Sequence, residues 1–152
     1  MGYAGKHKYF TYASWVLAAL SAFVALLPFI YIWKIVKEVL DVAPNFSEAT
    51  ELVKNGVIAM VFAVAAFLIY ICALLCSHLA AFRVATNMRI LTTEHIAKLP
   101  LGYVDSFGSG KLRKIINDST GATETYLAHQ LPDKYAAIAT PIGLLALLFI
   151  FD

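Results

Sequence analysis

Charged side chains are scarce in this chain. Asp, Glu, Lys and Arg make up 14% of its 152 residues, whereas soluble domains carry about 25%. None of the four occurs in 9–33, 55–82 or 135–151, runs of 25, 28 and 17 residues. A helix needs about 20 apolar residues to cross roughly 30 Å of hydrocarbon, so the first two runs suffice and the third is marginal. A soluble globule of this size could hardly bury two such rods, so we predict an all-α, multi-pass membrane protein.

The chain has only two cysteines, and it has no complete nucleotide-binding motif. The two cysteines, Cys72 and Cys76, lie four residues apart inside the second run, where they are expected to pack rather than to bind metal. The segment 108–111, Gly-Ser-Gly-Lys, resembles part of a phosphate-binding loop. That loop requires a glycine where Asp105 stands and a Ser or Thr where Leu112 stands. We therefore predict no catalytic residue, no metal or cofactor site and no nucleic-acid partner for this chain.

The placement of the basic residues predicts the topology. Nine of the 12 Lys and Arg residues precede the first run or lie in 83–134, and the other three share 34–54 with four acidic residues. Cytoplasmic loops carry the excess of Lys and Arg. We therefore predict a plasma (inner) membrane protein with a cytoplasmic N-terminus. Its predicted spans are about 11–34, 56–82 and 135–151, with 83–134 in the cytoplasm and 35–55 outside.

The segment 83–134 is long for a connection between neighbouring helices. Apolar residues recur at helical spacing after Arg83, which predicts that the second span continues into the cytoplasm until Pro100 interrupts it. A second helical pattern begins after Gly110 and leads into the third run. Between the two helices lies a short elbow that carries Tyr103 and Phe107, and exposed aromatic side chains at a tip favour docking to a partner.

The motifs of this segment resemble the first intracellular loop of ABC transporters with the exporter-type fold. The elbow has Tyr103-Val104 where that family usually has an aromatic pair. A His-x-x-Pro-Asp step near the third run resembles the branch that includes siderophore importers with an exporter fold. The motifs that carry the resemblance are Arg83 and Arg89, Leu99-Pro100-Leu101-Gly102-Tyr103-Val104-Asp105, Ser109-Gly110-Lys111-Leu112, Asn117-Asp118, and His129 with Pro132-Asp133.

The resemblance implies that 1–152 is the N-terminal part of a transmembrane domain without its nucleotide-binding domain. In this family two transmembrane domains, as a homodimer or heterodimer, form the substrate pathway. The elbow is then a coupling helix that docks on a nucleotide-binding domain, where ATP and Mg are bound. The implied docking residues are Leu101, Gly102, Tyr103, Val104, Asp105, Ser106 and Phe107. The positions matching family motifs in the loop are Arg89, Pro100, Gly110, Asp118, His129, Pro132 and Asp133.

Two other functions stay open at this point. A small standalone membrane adaptor would also dock a cytoplasmic partner through the elbow. A membrane-embedded enzyme would use His78, His95 and His129 together with acidic residues. Enzymatic sites need ligands or acid–base groups that converge in space, and these histidines are far apart along the sequence. The enzyme is therefore the weaker alternative.

Overall fold

The computed structural model describes residues 8–44 and 50–151. Within these residues there is no β-strand, so the predicted all-α fold is confirmed. Lys6 and residues 45–49 of the outer connection lie outside the described residues. The helical elements are α1 (Lys8–Asp41), α2 (Leu52–Ala97), α3 (Leu101–Phe107), α4 (Ser109–Thr125), a π-helical turn (Tyr126–Gln130) and α5 (Leu131–Phe151).

Three helical stretches of the described chain are long and apolar enough to cross a membrane. They are Lys8–Asp41, Leu52–Ala97 and the continuous stretch Ser109–Ile150. The second has 46 residues and the third has 42, which at 1.5 Å per residue correspond to about 69 and 63 Å. Both are about twice as long as the roughly 30 Å of hydrocarbon requires. The predicted extension of these two helices beyond the bilayer is therefore confirmed, and the short helix α3 joins their far ends.

Small side chains form the contact between α1 and α2. Alanines recur at every seventh position of α2, and all four are buried; they are Ala59, Ala66, Ala73 and Ala80. The facing side of α1 buries Ser14, Ala18 and Ser21, with each serine hydroxyl donating to the carbonyl oxygen three residues earlier at 2.8 Å. Lipid tails are as apolar as leucine, so helices in a bilayer associate mainly through close packing and internal hydrogen bonds. The seven-residue repeat of small side chains permits the two helices to approach closely.

Gly143 permits a similarly close approach between α5 and α1. A Cβ atom at this position would collide with Cδ1 of Leu26 and approach the ring of Phe23 at 3.1 Å. The two helices can therefore come this close only because residue 143 has no side chain. Nearer the start of α1, the rings of Trp15 and Tyr135 stack across the same interface with centroids 4.7 Å apart.

The π-helical turn lies immediately before Pro132. Leu131 donates its N–H to the carbonyl oxygen of Tyr126, five residues earlier. Proline has no N–H, so the normal α-helical ladder would be interrupted at this point in any case. The wider turn lets the helix continue from α4 into α5 with its faces rotated, and Pro132 itself is fully buried. Such single π turns occur frequently at functional sites.

Substitution of Gly143 by leucine is expected to lower the free energy of unfolding by about 1–3 kcal/mol, because the new side chain must push α5 away from α1. Gly121→Leu is the matched control, since a Cβ there meets no atom within 4 Å. SDS-induced unfolding of the purified protein in detergent measures both changes. Equal losses in the two variants would contradict the proposed close approach.

Candidate functional site

The extended ends of α2 and α4 form two arms, and the elbow between them is built by two sharp changes of chain direction. The helix α2 ends at Ala97, and the backbone of Pro100 leaves the helical region with φ −57° and ψ 137°. The carbonyl oxygen of Pro100 then accepts the N–H groups of Tyr103 and Val104 at 3.0 and 3.3 Å, which starts α3. Pro100 therefore ends one helix and starts the next.

Gly108 makes the second change of direction. Its φ of +72° with ψ 135° lies in a region that residues with a Cβ avoid. Its N–H donates to the carbonyl oxygen of Asp105 at 3.1 Å, and its carbonyl oxygen accepts the N–H of Leu112 at 3.2 Å. One glycine thus ends α3 and begins α4. Gly110, the motif glycine, lies within the first turn of α4, where its backbone is ordinary helix.

The outer face of α3 is uncovered. None of its seven residues is buried, Tyr103 is 54% exposed and Phe107 is 37% exposed. The two rings contact each other with centroids 5.2 Å apart, and the Nζ atom of Lys111 lies 5.5 Å from the centroid of Phe107. The predicted docking residues 101–107 thus form one short amphipathic helix that presents an aromatic pair to whatever lies beyond the tip.

Arg89 links the two arms. Its Nε donates to the hydroxyl oxygen of Thr120 at 3.1 Å, and its guanidinium lies 3.6 Å from the carboxylate of Glu124. Closer to the tip, a groove of about 390 Å³ separates α2 from α4, and Val104 and Arg113 are among its lining residues. Val104 therefore turns inward against the arms while Tyr103 turns outward. The arms and the elbow are held as one unit.

A second group of polar contacts lies inside the apolar layer. The hydroxyl of Tyr70 donates to Oδ1 of Asp133 at 2.6 Å, and the hydroxyl of Ser77 donates to the carbonyl oxygen of Leu127 at 2.7 Å. Both bonds join α2 to the stretch around the π-helical turn. Tyr70 is 13 residues from Arg83, the nearest charged residue of α2, or about 20 Å along the helix. The contact therefore draws Asp133 into the depth of the second span.

His78 and His129 meet, with their rings edge to face and centroids 4.7 Å apart. The structure thus brings together two of the three histidines that a membrane-embedded enzyme would need. His95 lies near the end of α2, 17 residues beyond His78. In residues 8–44 and 50–151, no three His, Cys, Asp or Glu side chains converge as a metal site would require. Asp118 lies exposed on α4, apart from this pair.

Sequence reasoning missed most partners of these residues. Glu124, Thr120 and Ser77 carry no motif, and no sequence pattern pairs Asp133 with Tyr70. Hydropathy places helices in the membrane but does not say which residues of two helices lie opposite each other. The proline before Asp133 was the one available signal that the helix changes its face there.

The chain from the first turn of α1 onward matches a known family. Residues 11–152 match the model of the ABC transporter transmembrane region. The chain belongs to this family. The predicted family resemblance is thereby confirmed, and with it the assignment of the chain to the membrane part of a transporter.

The similar curated proteins are mycobactin import ATP-binding/permease proteins, each named IrtA. The one from Mycobacterium tuberculosis is 36% identical over 75 residues, which are 49% of this chain and 9% of that relative. The one from Mycolicibacterium smegmatis is 28% identical over 139 residues, which are 91% of this chain and 16% of that relative. The chain thus spans at most 16% of the length of these relatives. They agree with the predicted resemblance to the siderophore-importer branch.

Substitution of Gly108 by alanine is expected to destabilise the tip by about 1–3 kcal/mol, because the Cβ strains a backbone conformation that only glycine adopts readily. Gly110→Ala, two residues away and helical, has open space for its Cβ and gains helix propensity. Thermal unfolding of both purified variants, followed by circular dichroism, checks this difference. An unchanged midpoint for Gly108→Ala would contradict it.

Proposed function

We propose that this chain forms part of the membrane-spanning subunit of an ATP-driven transporter and carries its first coupling loop. The observation that supports the proposal is the helical hairpin of α2 and α4, which extends well beyond the apolar layer and ends in the uncovered aromatic pair of α3. Two long helices that are joined by the contacts of Arg89 act as a stiff lever. A movement imposed on the elbow is transmitted to the membrane spans, because the arms cannot bend independently.

The partner at the elbow is a nucleotide-binding domain, on the same chain or on another. That domain supplies ATP and Mg binding, since the described residues offer no phosphate-binding loop. Tyr103 and Phe107 are the packing contacts, as exposed aromatic anchors are at many protein interfaces. Lys111 beside Phe107 adds a positive charge to the rim of this surface. A second transmembrane half completes the pathway.

The substrate class follows from the relatives. The IrtA proteins are named for mycobactin import, so we assign to this chain a place in the import of an iron-chelating siderophore. The His-x-x-Pro-Asp step agrees with that branch.

The basic residues favour one orientation in the membrane. Nine of them precede the first run or lie in 83–134, which favours a cytoplasmic position for the N-terminus and the elbow. A standalone adaptor gains no specific support, since the family match covers residues 11–152.

The coupling role is tested by the double variant Tyr103→Ala/Phe107→Ala in the intact transporter. We expect uptake of ferric mycobactin into proteoliposomes to fall about tenfold or more, because interface aromatics contribute much of the binding energy. The stimulation of ATP hydrolysis by substrate should fall in parallel.

The matched control is Tyr9→Ala, which removes an exposed aromatic side chain at the start of α1, away from the elbow. Its uptake should stay near that of the parent protein. Full uptake in the elbow variant, with normal expression, would overturn the coupling role of α3. A loss of equal size in both variants would show a general effect of aromatic removal instead.

A further inference from the structure

Asp133 lies at an unusual depth for a carboxylate. On one side, its bond to Tyr70 sets it against a residue about 20 Å from Arg83 along α2. On the other side, Tyr135 stacks on Trp15, which is seven residues, or about 10 Å, beyond Lys8. One distance reaches past the middle of a hydrocarbon layer of roughly 30 Å and the other reaches about a third of the way into it, so both neighbours place Asp133 inside the apolar layer.

The carboxylate has only partial compensation there. It accepts the hydrogen bond of Tyr70, and among the described residues no basic side chain forms an ion pair with it. Asp133 and the adjacent Lys134 are both exposed on the surface of α5. Ionisable side chains inside a membrane almost always face the interior of a helix bundle or a water-filled cavity. This edge of α5 therefore faces away from lipid in the assembled protein.

The groove beside Asp133 has the space for a ligand. It measures about 500 Å³ and lies between α1, α2 and α5, with Tyr70 at the Asp133 end. The hydroxyl groups of Ser21 and Thr140 line it, while small side chains keep it open. The alanines among its lining residues are Ala22, Ala25, Ala63, Ala66 and Ala136. The groove thus combines an apolar wall with a few placed polar groups, as sites for organic ligands do.

The two exposed sides of α5 differ in chemistry. Asp133, Ala137 and the half-buried Thr140 follow each other at helical spacing in the first half of α5 and present small or polar side chains. The same side continues with the bulky, exposed Leu144 and Leu148 in the second half. The opposite exposed stripe is apolar and bulky throughout; it consists of Ile138, Ile142, Leu145 and Phe149. Lipid favours bulky apolar side chains and water favours polar ones, so α5 has a side suited to an aqueous path near Asp133.

We propose that Asp133, oriented by Tyr70, is a substrate-binding residue of the transport pathway and takes a hydroxyl or amide group of the substrate. The carboxylate accepts that group's hydrogen bond, and the small-residue groove holds the adjoining apolar part of the molecule. This inference rests on the proposed transport function and adds to it the residue and the chemistry of one contact. Tyr70 is a positioning residue, since it lines the groove and its hydroxyl donates to the carboxylate.

Water access distinguishes the two sides of α5 without any transport measurement. Ala137→Cys and Ile142→Cys would be introduced into the intact transporter from which Cys72, Cys76 and other cysteines have been removed. Inside-out vesicles would then be treated with a membrane-impermeant, cationic methanethiosulfonate. Residue 142 lies about 140° around the helix from residue 137. Both native side chains are exposed in this structure.

The thiol at residue 137 is expected to react at least about tenfold faster, because only a hydrated thiol ionises readily to the reactive thiolate. Ferric mycobactin should slow the reaction of the thiol at residue 137 and leave the reaction rate of the thiol at residue 142 unchanged. Equal rates at both positions, or protection of residue 137 in every state, would overturn the proposal. The second outcome would mean that other helices of the transporter cover this edge.

The contact itself is tested by uptake kinetics with ferric mycobactin. Asp133→Ala should raise KM about tenfold or more, the range expected for loss of a hydrogen bond to a charged group. Tyr70→Phe should raise KM by a smaller factor and leave kcat nearly unchanged. Thr123→Val is the control, because the Thr123 hydroxyl donates to the carbonyl oxygen of Ser119 within α4.

The two proposals fail in different ways. A fall in kcat at unchanged KM for Asp133→Ala and Tyr70→Phe would show a structural role and refute the binding site alone. Absence of ATP-dependent mycobactin uptake by the parent transporter would refute the proposed substrate. The thiol rates at residues 137 and 142 would still decide, in that case, whether Asp133 faces an aqueous pathway.

Discussion

The hydrocarbon layer offers no hydrogen-bond partner to a polar group, and the arrangement of this protein follows from that constraint. The backbone satisfies it by remaining helical almost everywhere, even where Pro132 removes an N–H and the chain widens into a π turn. Side chains satisfy it by bonding across helices, as Tyr70 does to Asp133 and Ser77 to the carbonyl of Leu127. These few bonds set the register of α2 against the stretch that leads into α5.

Packing then fills the remaining requirement. Because apolar side chains gain little by leaving lipid for protein, the helices must approach closely enough for dispersion forces to hold them. The four alanines at seven-residue spacing on α2 and the single Gly143 on α5 allow that approach. Most of the bulky apolar residues remain exposed on the outside of the described helices. Small side chains thus lie inside the bundle and large apolar side chains lie outside it, which is the reverse of the arrangement in a soluble protein.

Beyond the membrane the balance of forces changes. The arms are held by charged and polar contacts, of which Arg89 to Thr120 and Glu124 is the clearest. These bonds join α2 to α4 just where the two helices leave the apolar layer. The elbow, in turn, depends on the fixed geometry of Pro100 and the positive φ of Gly108. A partner that moves the elbow therefore moves a braced pair of helices.

Much of this could be predicted from the sequence, because the decisive signals were local. The charge-free runs indicated the spans, and Pro100 marked the end of α2 while exposed aromatics marked the elbow. The pairing of Tyr70 with Asp133 could not be predicted, since periodicity gives a face of a helix but not its neighbour. The π turn has no sequence signature apart from the proline that follows it.

The central claim is the register that carries Asp133 into the apolar layer, and the depth of α5 tests it most directly. Nitroxide labels placed in turn at Ile138, Ile142, Leu145 and Phe149 lie along one exposed stripe. Their relative accessibility to oxygen and to a water-soluble nickel chelate reports depth in the bilayer. The register predicts the greatest depth near residues 138–142 and a shallower position for residue 149. A depth that increases steadily from residue 138 to residue 149 would contradict it.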